Sequence, residues 1–228
     1  MKSASKYSKL PEKQAKLVKN FFPKTPKQKE LQELIEDNEI VIAKGVAGSG
    51  KSYVALATAL NLLGEVYTKI ILVKSVTTIP GEEIGFLKGG LEEKMEPFMM
   101  SYTWNIDKMC GKNASKDLLS KGLLEILPIA YMRGLSIDSS IVIFDETQNI
   151  SHETFKTIIT RIGENCKYIF LGDTEQVDRK KKQESSLQTM IDILGPTGLV
   201  KTLEFSDDDC VRNPKIPKIL EVLRQNNI

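Results

Sequence analysis

The sequence predicts an α/β protein built on a doubly wound, mostly parallel β-sheet. Three observations carry that expectation. Four short apolar runs, at 40–43, 70–73, 141–144 and 168–171, are β-branched and continuous rather than alternating, as strands covered on both faces are. Stretches with helical spacing separate them. A glycine-rich loop follows the first run directly.

Taken in order, residues 1–24 form a basic lead-in and residues 25–228 a single domain. Thr25-Pro26 opens a helix, with Thr25 as N-cap and proline at the first helical position, and Leu31, Leu34 and Ile35 give it an apolar face. The first strand follows at Ile40–Ala43 and the second at Ile70–Val73. Residues 76–138, with Pro97 inside a helical pattern, read as an insertion before the next core strand, Ile141–Phe144. Phe155, Ile158, Ile159 and Ile162 then mark a helix face, Tyr168–Leu171 another strand, and Leu187, Met190, Ile191 and Leu194 a further helix. A weaker strand lies near Leu199–Phe205, and Ile216, Ile219, Leu220 and Leu223 mark a last helix.

The 228 residues are enough to bury a core without disulfides. The net charge of +2 is unevenly spread. Residues 1–29 hold nine lysines against one acid, Glu12, so a net +8 arm precedes a body of net −6. Such an arm either lies along a polyanion or serves as a solvated tail. Three scattered cysteines, Cys110, Cys166 and Cys210, make neither a disulfide framework nor a zinc site and fit a reducing cytoplasm. No apolar leader or membrane-length run is present. With His152 as the only histidine, neither a histidine-based metal site nor a Ser-His triad can be assembled.

The chemistry concentrates after the first strand. Gly45-Val46-Ala47-Gly48-Ser49-Gly50-Lys51-Ser52 matches the phosphate-binding pattern G-x-x-x-x-G-K-[ST]. Glycines let the backbone turn so that successive N–H groups face phosphate oxygens, and the following helix adds the positive end of its dipole. Lys51 is placed for the β- and γ-phosphates of ATP and Ser52 for Mg²⁺. The run Ile141–Phe144 ends in Asp145-Glu146, where strand ends line the ligand crevice of open sheets. Asp145 is expected in the Mg²⁺ shell and Glu146 as the base for the attacking water. Gln176, in Gly172-Asp173-Thr174-Glu175-Gln176, is either a γ-phosphate sensor or part of a plain turn.

Together these residues resemble the PhoH family of P-loop ATPases, whose core is similar to one RecA-like lobe of superfamily 1 helicases. The resemblance runs through GVAGSGKS (45–52), GFLKGGLEEKMEPF (85–98), PIAYMRG (128–134), FDETQN (144–149), LGDTEQVD (171–178) and VRNP (211–214). It departs at Thr147, where the family pattern has alanine, and at Lys74-Ser75, where it often has Arg-Pro. The lysine-rich lead-in lies outside it. No stretch resembles the PIN nuclease or KH-like module of some relatives, so no nuclease activity is carried over.

The resemblance implies ATP hydrolysis with Mg²⁺, a homo-oligomeric ring of hexameric type, and coupling to RNA or single-stranded DNA. Thr25-Pro26-Lys27-Gln28 looks like a helicase adenine-reading motif, with Gln28 on the base, and equally like a helix capping box. Because superfamily 1 motors place an arginine finger on a second lobe, the expectation here is a finger supplied by a neighbouring subunit, with Arg212 favoured over Arg133. Trp104, Phe98 and Tyr102 are candidates for stacking on bases, although the spacing of Phe98 and Tyr102 also fits helix packing. Arg179-Lys180-Lys181-Lys182 is a candidate backbone contact or a solvated loop. Two other classes stay open: a nucleotide-gated scaffold with slow hydrolysis, and a phosphotransferase using the same loop.

Overall fold

The computed structural model describes residues 17–18, 21–64, 66–74, 91–173, 186–213 and 215–226. Among the described residues, six strands form one sheet in the order β3-β2-β4-β5-β1-β6, with every pairing parallel. They are β1 (Ile40–Gly45), β2 (Lys69–Lys74), β3 (Leu124–Pro128), β4 (Ser140–Asp145), β5 (Lys167–Gly172) and β6 (Lys201–Phe205). The helices are α1 (Pro26–Asp37), α2 (Lys51–Leu62), α3 (Leu91–Cys110), α4 (Ala114–Ser120), α5 (His152–Ile159), α6 (Ser186–Leu194) and α7 (Lys215–Gln225).

The strands are apolar on both faces because both faces are covered. Val41, Ala43, Ile141, Ile143, Ile169 and Leu171 face one core with Leu31 and Ile35 of α1, Leu56 and Leu60 of α2, and Ile106 of α3. The intervening residues Ile42, Val142, Phe144, Tyr168 and Phe170 face a second core with Phe155 and Ile158 of α5 and Leu187 of α6. Phe144 and Phe170 stack there at 4.6 Å between centroids. A fully buried leucine or isoleucine contributes roughly 1.5–3 kcal/mol, so this two-sided packing fixes the strand ends that carry the site.

Thr25 caps α1 by accepting from the Gln28 N–H, with Pro26 in the first turn. α5 ends at Ile159, so Ile162 lies beyond it and bridges Ile137 instead. β3 is the element that the apolar pattern does not predict. Its run, Leu124-Glu125-Ile126-Leu127-Pro128, carries an acid at its second position and only Leu124 is fully buried, as befits an edge strand. Glu125 pairs across to Lys69 of β2 at 2.9 Å. The stretch 76–138 therefore supplies a strand of the sheet as well as α3 and α4. Among the described residues, no helix is long and apolar enough to cross a membrane.

Candidate active site

β1, β5 and β4 are neighbours, so their carboxyl ends bring Gly45, Asp173 and Asp145-Glu146 to one side of the sheet. Asp145, Glu146 and Asp173 border a cavity of about 740 Å³ whose floor is formed by Ala47, Gly48, Gly50, Lys51 and Ser52. Gly48 and Gly50 hold φ of 85° and 84°, a left-handed conformation that leads into α2. Gly50 is the N-cap of α2 and no side chain caps its first N–H groups, which leaves them for an anion. Ser49, fully buried, stiffens the loop by donating to the Val46 carbonyl at 2.9 Å.

Lys51 folds back over this loop. Its ammonium donates to the Gly45 carbonyl at 2.6 Å, the Val46 carbonyl at 2.8 Å and the Ser49 hydroxyl at 3.0 Å. Burial lowers its pKa from the ordinary lysine value, while Asp173, Asp145 and Glu146 counteract that. A cation bonded only to neutral oxygens among these partners is primed to exchange them for phosphate oxygens.

One residue further along, the Ser52 hydroxyl donates to Asp145 Oδ1 at 3.2 Å. The other oxygen, Oδ2, accepts from the hydroxyl of Tyr102 on α3. Burial first, and the Asp145 charge second, hold the Tyr102 phenol well above its ordinary pKa, so it donates. A hydroxyl and a carboxylate side by side are hard oxygen donors of the type Mg²⁺ takes together with phosphate oxygens. Ser52 and Asp145 thus fit the metal. Among the described residues no cluster of three or more His, Cys, Asp or Glu side chains offers a cage of its own.

Glu146 sits in the left-handed region, φ 55° and ψ 39°, a conformation that costs a residue with a side chain about 1 kcal/mol or more. Gln148 holds it there. The Gln148 amide donates to Glu146 Oε2 at 2.7 Å and its oxygen accepts from the Asp173 N–H at 3.1 Å. Gln148 is 2% exposed and so ties the acid after β4 to the end of β5. Thr147 bonds the Leu171 carbonyl at 2.8 Å, which gives the hydroxyl at that departure from the family pattern a partner.

Gln28 also reaches the cavity, 4% exposed. Its amide donates to the Ser49 carbonyl at 2.8 Å and its oxygen accepts from the Lys24 N–H at 2.7 Å. Half of the capping box forms, with Thr25 accepting from the Gln28 N–H, but the glutamine side chain supports the phosphate loop instead of closing the box. Its amide is engaged with protein, which makes it a brace for the loop.

Arg212 lines the cavity of its own chain. The segment after β6 folds back over the loop: the Val211 N–H bonds the Gly48 carbonyl at 3.0 Å, and the Arg212 side chain lies against Gly48. Arg212 thus lies beside the loop of its own chain. Arg133 is exposed on a 3₁₀ turn after the edge strand β3 and is not among the cavity's lining residues. Gln176 and the run 179–182 lie outside the described residues.

Phe21, Phe22, Tyr53 and Trp104 form an aromatic rim to the cavity, with Lys108 over the Trp104 ring at 5.1 Å. Sequence reasoning missed three contributors: Gln148, Asp173 and the hydroxyl of Tyr102. The signal for the first was a glutamine two residues after a strand-end acid. The others meet the site only through the fold.

The profile of the PhoH-like protein family matches residues 20–224. The chain belongs to the PhoH-like family. A PhoH-like protein of Bacillus subtilis (strain 168) is 33% identical over 209 residues, covering 92% of this chain and 66% of that protein. Protein PhoH of Escherichia coli (strain K12) is 32% identical over 181 residues, covering 78% and 51%. This PhoH-like chain thus spans about half to two thirds of the curated relatives it matches. Among solved structures, the large terminase of a thermophilic bacteriophage superposes with TM-scores of 0.56 and 0.52 in two crystal forms. At 12% and 14% identity, over 87% and 88% of this chain and 49% and 51% of the terminase chain, that likeness shows the fold.

Proposed function

We propose that this PhoH-like chain binds ATP with Mg²⁺ on the loop Gly45–Ser52 and hydrolyses it, and that the hydrolysis is coupled to single-stranded RNA or DNA in a ring of identical subunits. The observation that carries the hydrolytic reading is the division of labour between adjacent acids. Asp145 is engaged with Ser52, while Glu146 is held separately by Gln148 on the cavity wall.

Glu146 takes a proton from water as the water oxygen bonds to the γ-phosphorus and the bond to the bridging oxygen breaks. Lys51 and the α2 N–H groups hold the phosphates, and Arg212 adds positive charge beside the loop. Ser52 and Asp145 would hold Mg²⁺ there, and the ion would supply Lewis-acid neutralisation of the phosphate charge. The aromatic rim offers stacking surface to the base. The nucleic-acid and ring readings rest on the family resemblance and on the lysine-rich lead-in.

The test is release of inorganic phosphate from ATP with no acceptor added, repeated with single-stranded RNA and DNA at low salt. Release without acceptor, raised by single strands and with that stimulation fading as salt increases, is the expected result. Release only on adding an acceptor would make the chain a phosphotransferase. Release indifferent to every nucleic acid would remove the coupling.

A further inference from the structure

Tyr102 is an unusual choice for its position. It lies on the inward face of α3 with Ile106 and Met109, and the three are 5%, 0% and 4% exposed. Phenylalanine or leucine would fill that space equally well. A phenol hydroxyl in such a place costs free energy unless it is bonded. Its partner is the carboxylate of Asp145, 43 residues away in the chain. The hydroxyl therefore shares a carboxylate with Ser52, the other side chain that fits the cation.

The consequence for Asp145 is geometric. Its backbone is fixed as the last residue of β4, but a carboxylate can still rotate about its side-chain bonds. Ser52 on Oδ1 and Tyr102 on Oδ2 bond both oxygens at once. Such outer partners set the orientation and basicity of a metal-binding side chain.

We propose that Tyr102 is a positioning residue for the divalent cation. It locks the Asp145 carboxylate and thereby makes the metal affinity of the phosphate loop depend on α3. This rests on the proposed nucleotide site. α3 packs on α2, α4 and β3. Movement of α3 away from β4 would loosen the acid without touching the loop that holds the phosphates.

The test uses Mn²⁺ in place of Mg²⁺, followed by electron paramagnetic resonance in the presence of ADP, so that no turnover is needed. Nucleotide-dependent Mn²⁺ binding by the wild-type chain is the premise, and its absence would overturn the nucleotide site itself. Given that binding, Tyr102→Phe should weaken Mn²⁺ by about tenfold or more. ADP affinity measured without metal should be unchanged, and so should the thermal unfolding midpoint, apart from the small effect of one lost hydroxyl. Ile106→Val, which alters the same helix face but leaves the hydroxyl, should keep wild-type Mn²⁺ affinity. Unchanged or tighter Mn²⁺ binding in Tyr102→Phe would overturn the proposal, as would an equal loss in Ile106→Val.

Discussion

Glu146→Gln should leave ATP bound and slow its hydrolysis by about 10²–10⁴-fold, the range that a positioned general base contributes. The replacement keeps the shape of the side chain. Gln148 can still donate to the amide oxygen where it now donates to Glu146 Oε2. The left-handed backbone at this position is equally strained for either residue. What is lost is the capacity to take a proton from water. Asp145, whose oxygens are engaged by Ser52 and Tyr102, is poorly placed to substitute. Single-turnover phosphate release, with nucleotide affinity measured in parallel, separates the two effects. Equal loss of binding and hydrolysis would mean that Glu146 holds the nucleotide instead of activating water.

The second large effect is on stability. Gly45→Ala should destabilise the fold by about 3 kcal/mol or more, and lower the unfolding midpoint by roughly 10 °C for a domain of this size. Gly45 ends β1 at φ 136°, a conformation that side chains rarely adopt. It pairs with Phe205 of β6, and a Cβ built on it would sit 2.2 Å from the Phe205 carbonyl oxygen and 2.7 Å from the Phe205 Cβ. Backbone cannot yield as the tip of a flexible side chain can, so β6 must separate from β1. The segment that brings Arg212 to the loop follows β6 directly, so ATP affinity should fall too. Thermal and urea unfolding measure this; a change within about 0.5 kcal/mol would show that the strands accommodate the methyl group.

Both substitutions fall on residues that the sequence displays openly. A phosphate loop must place its glycines, lysine and hydroxyl consecutively, because adjacent backbone N–H groups do the binding. The acids after β4 are legible for the same reason: the strand that aims them is contiguous with them. The two-sided sheet was legible because burial on both faces demands unbroken apolar runs. β3 escaped because an edge strand escapes that demand, and Glu125 breaks its run.

What could not be read is the support that arrives through space. Nothing near Tyr102 in the chain points to Asp145, and its i, i+4 relation to Phe98 and Ile106 describes a packing helix equally well. The bond from the Gln28 amide to the Ser49 carbonyl was also not legible, because it forms only where α1 packs on α2 and its first turn meets the loop. Arg212 is legible in the sequence as an arginine for the site, but its place beside the loop of its own chain is not. The turn at Ser206–Asp209, closed by a capping box, and the Val211–Gly48 bond show how one chain brings it back.

The most direct test of the central claim, that Gly45–Ser52 holds the triphosphate, uses the chain's single tryptophan. Trp104 stands 65% exposed on the rim of the cavity and should respond to whatever fills it. Titrating ATP with Mg²⁺ and following Trp104 fluorescence should give a saturable change in the wild-type chain. In Lys51→Ala the same change should need at least about 100-fold more ATP, because the cation over the β- and γ-phosphates is gone. An unaltered spectrum up to millimolar ATP, or equal affinity in Lys51→Ala, would contradict the claim.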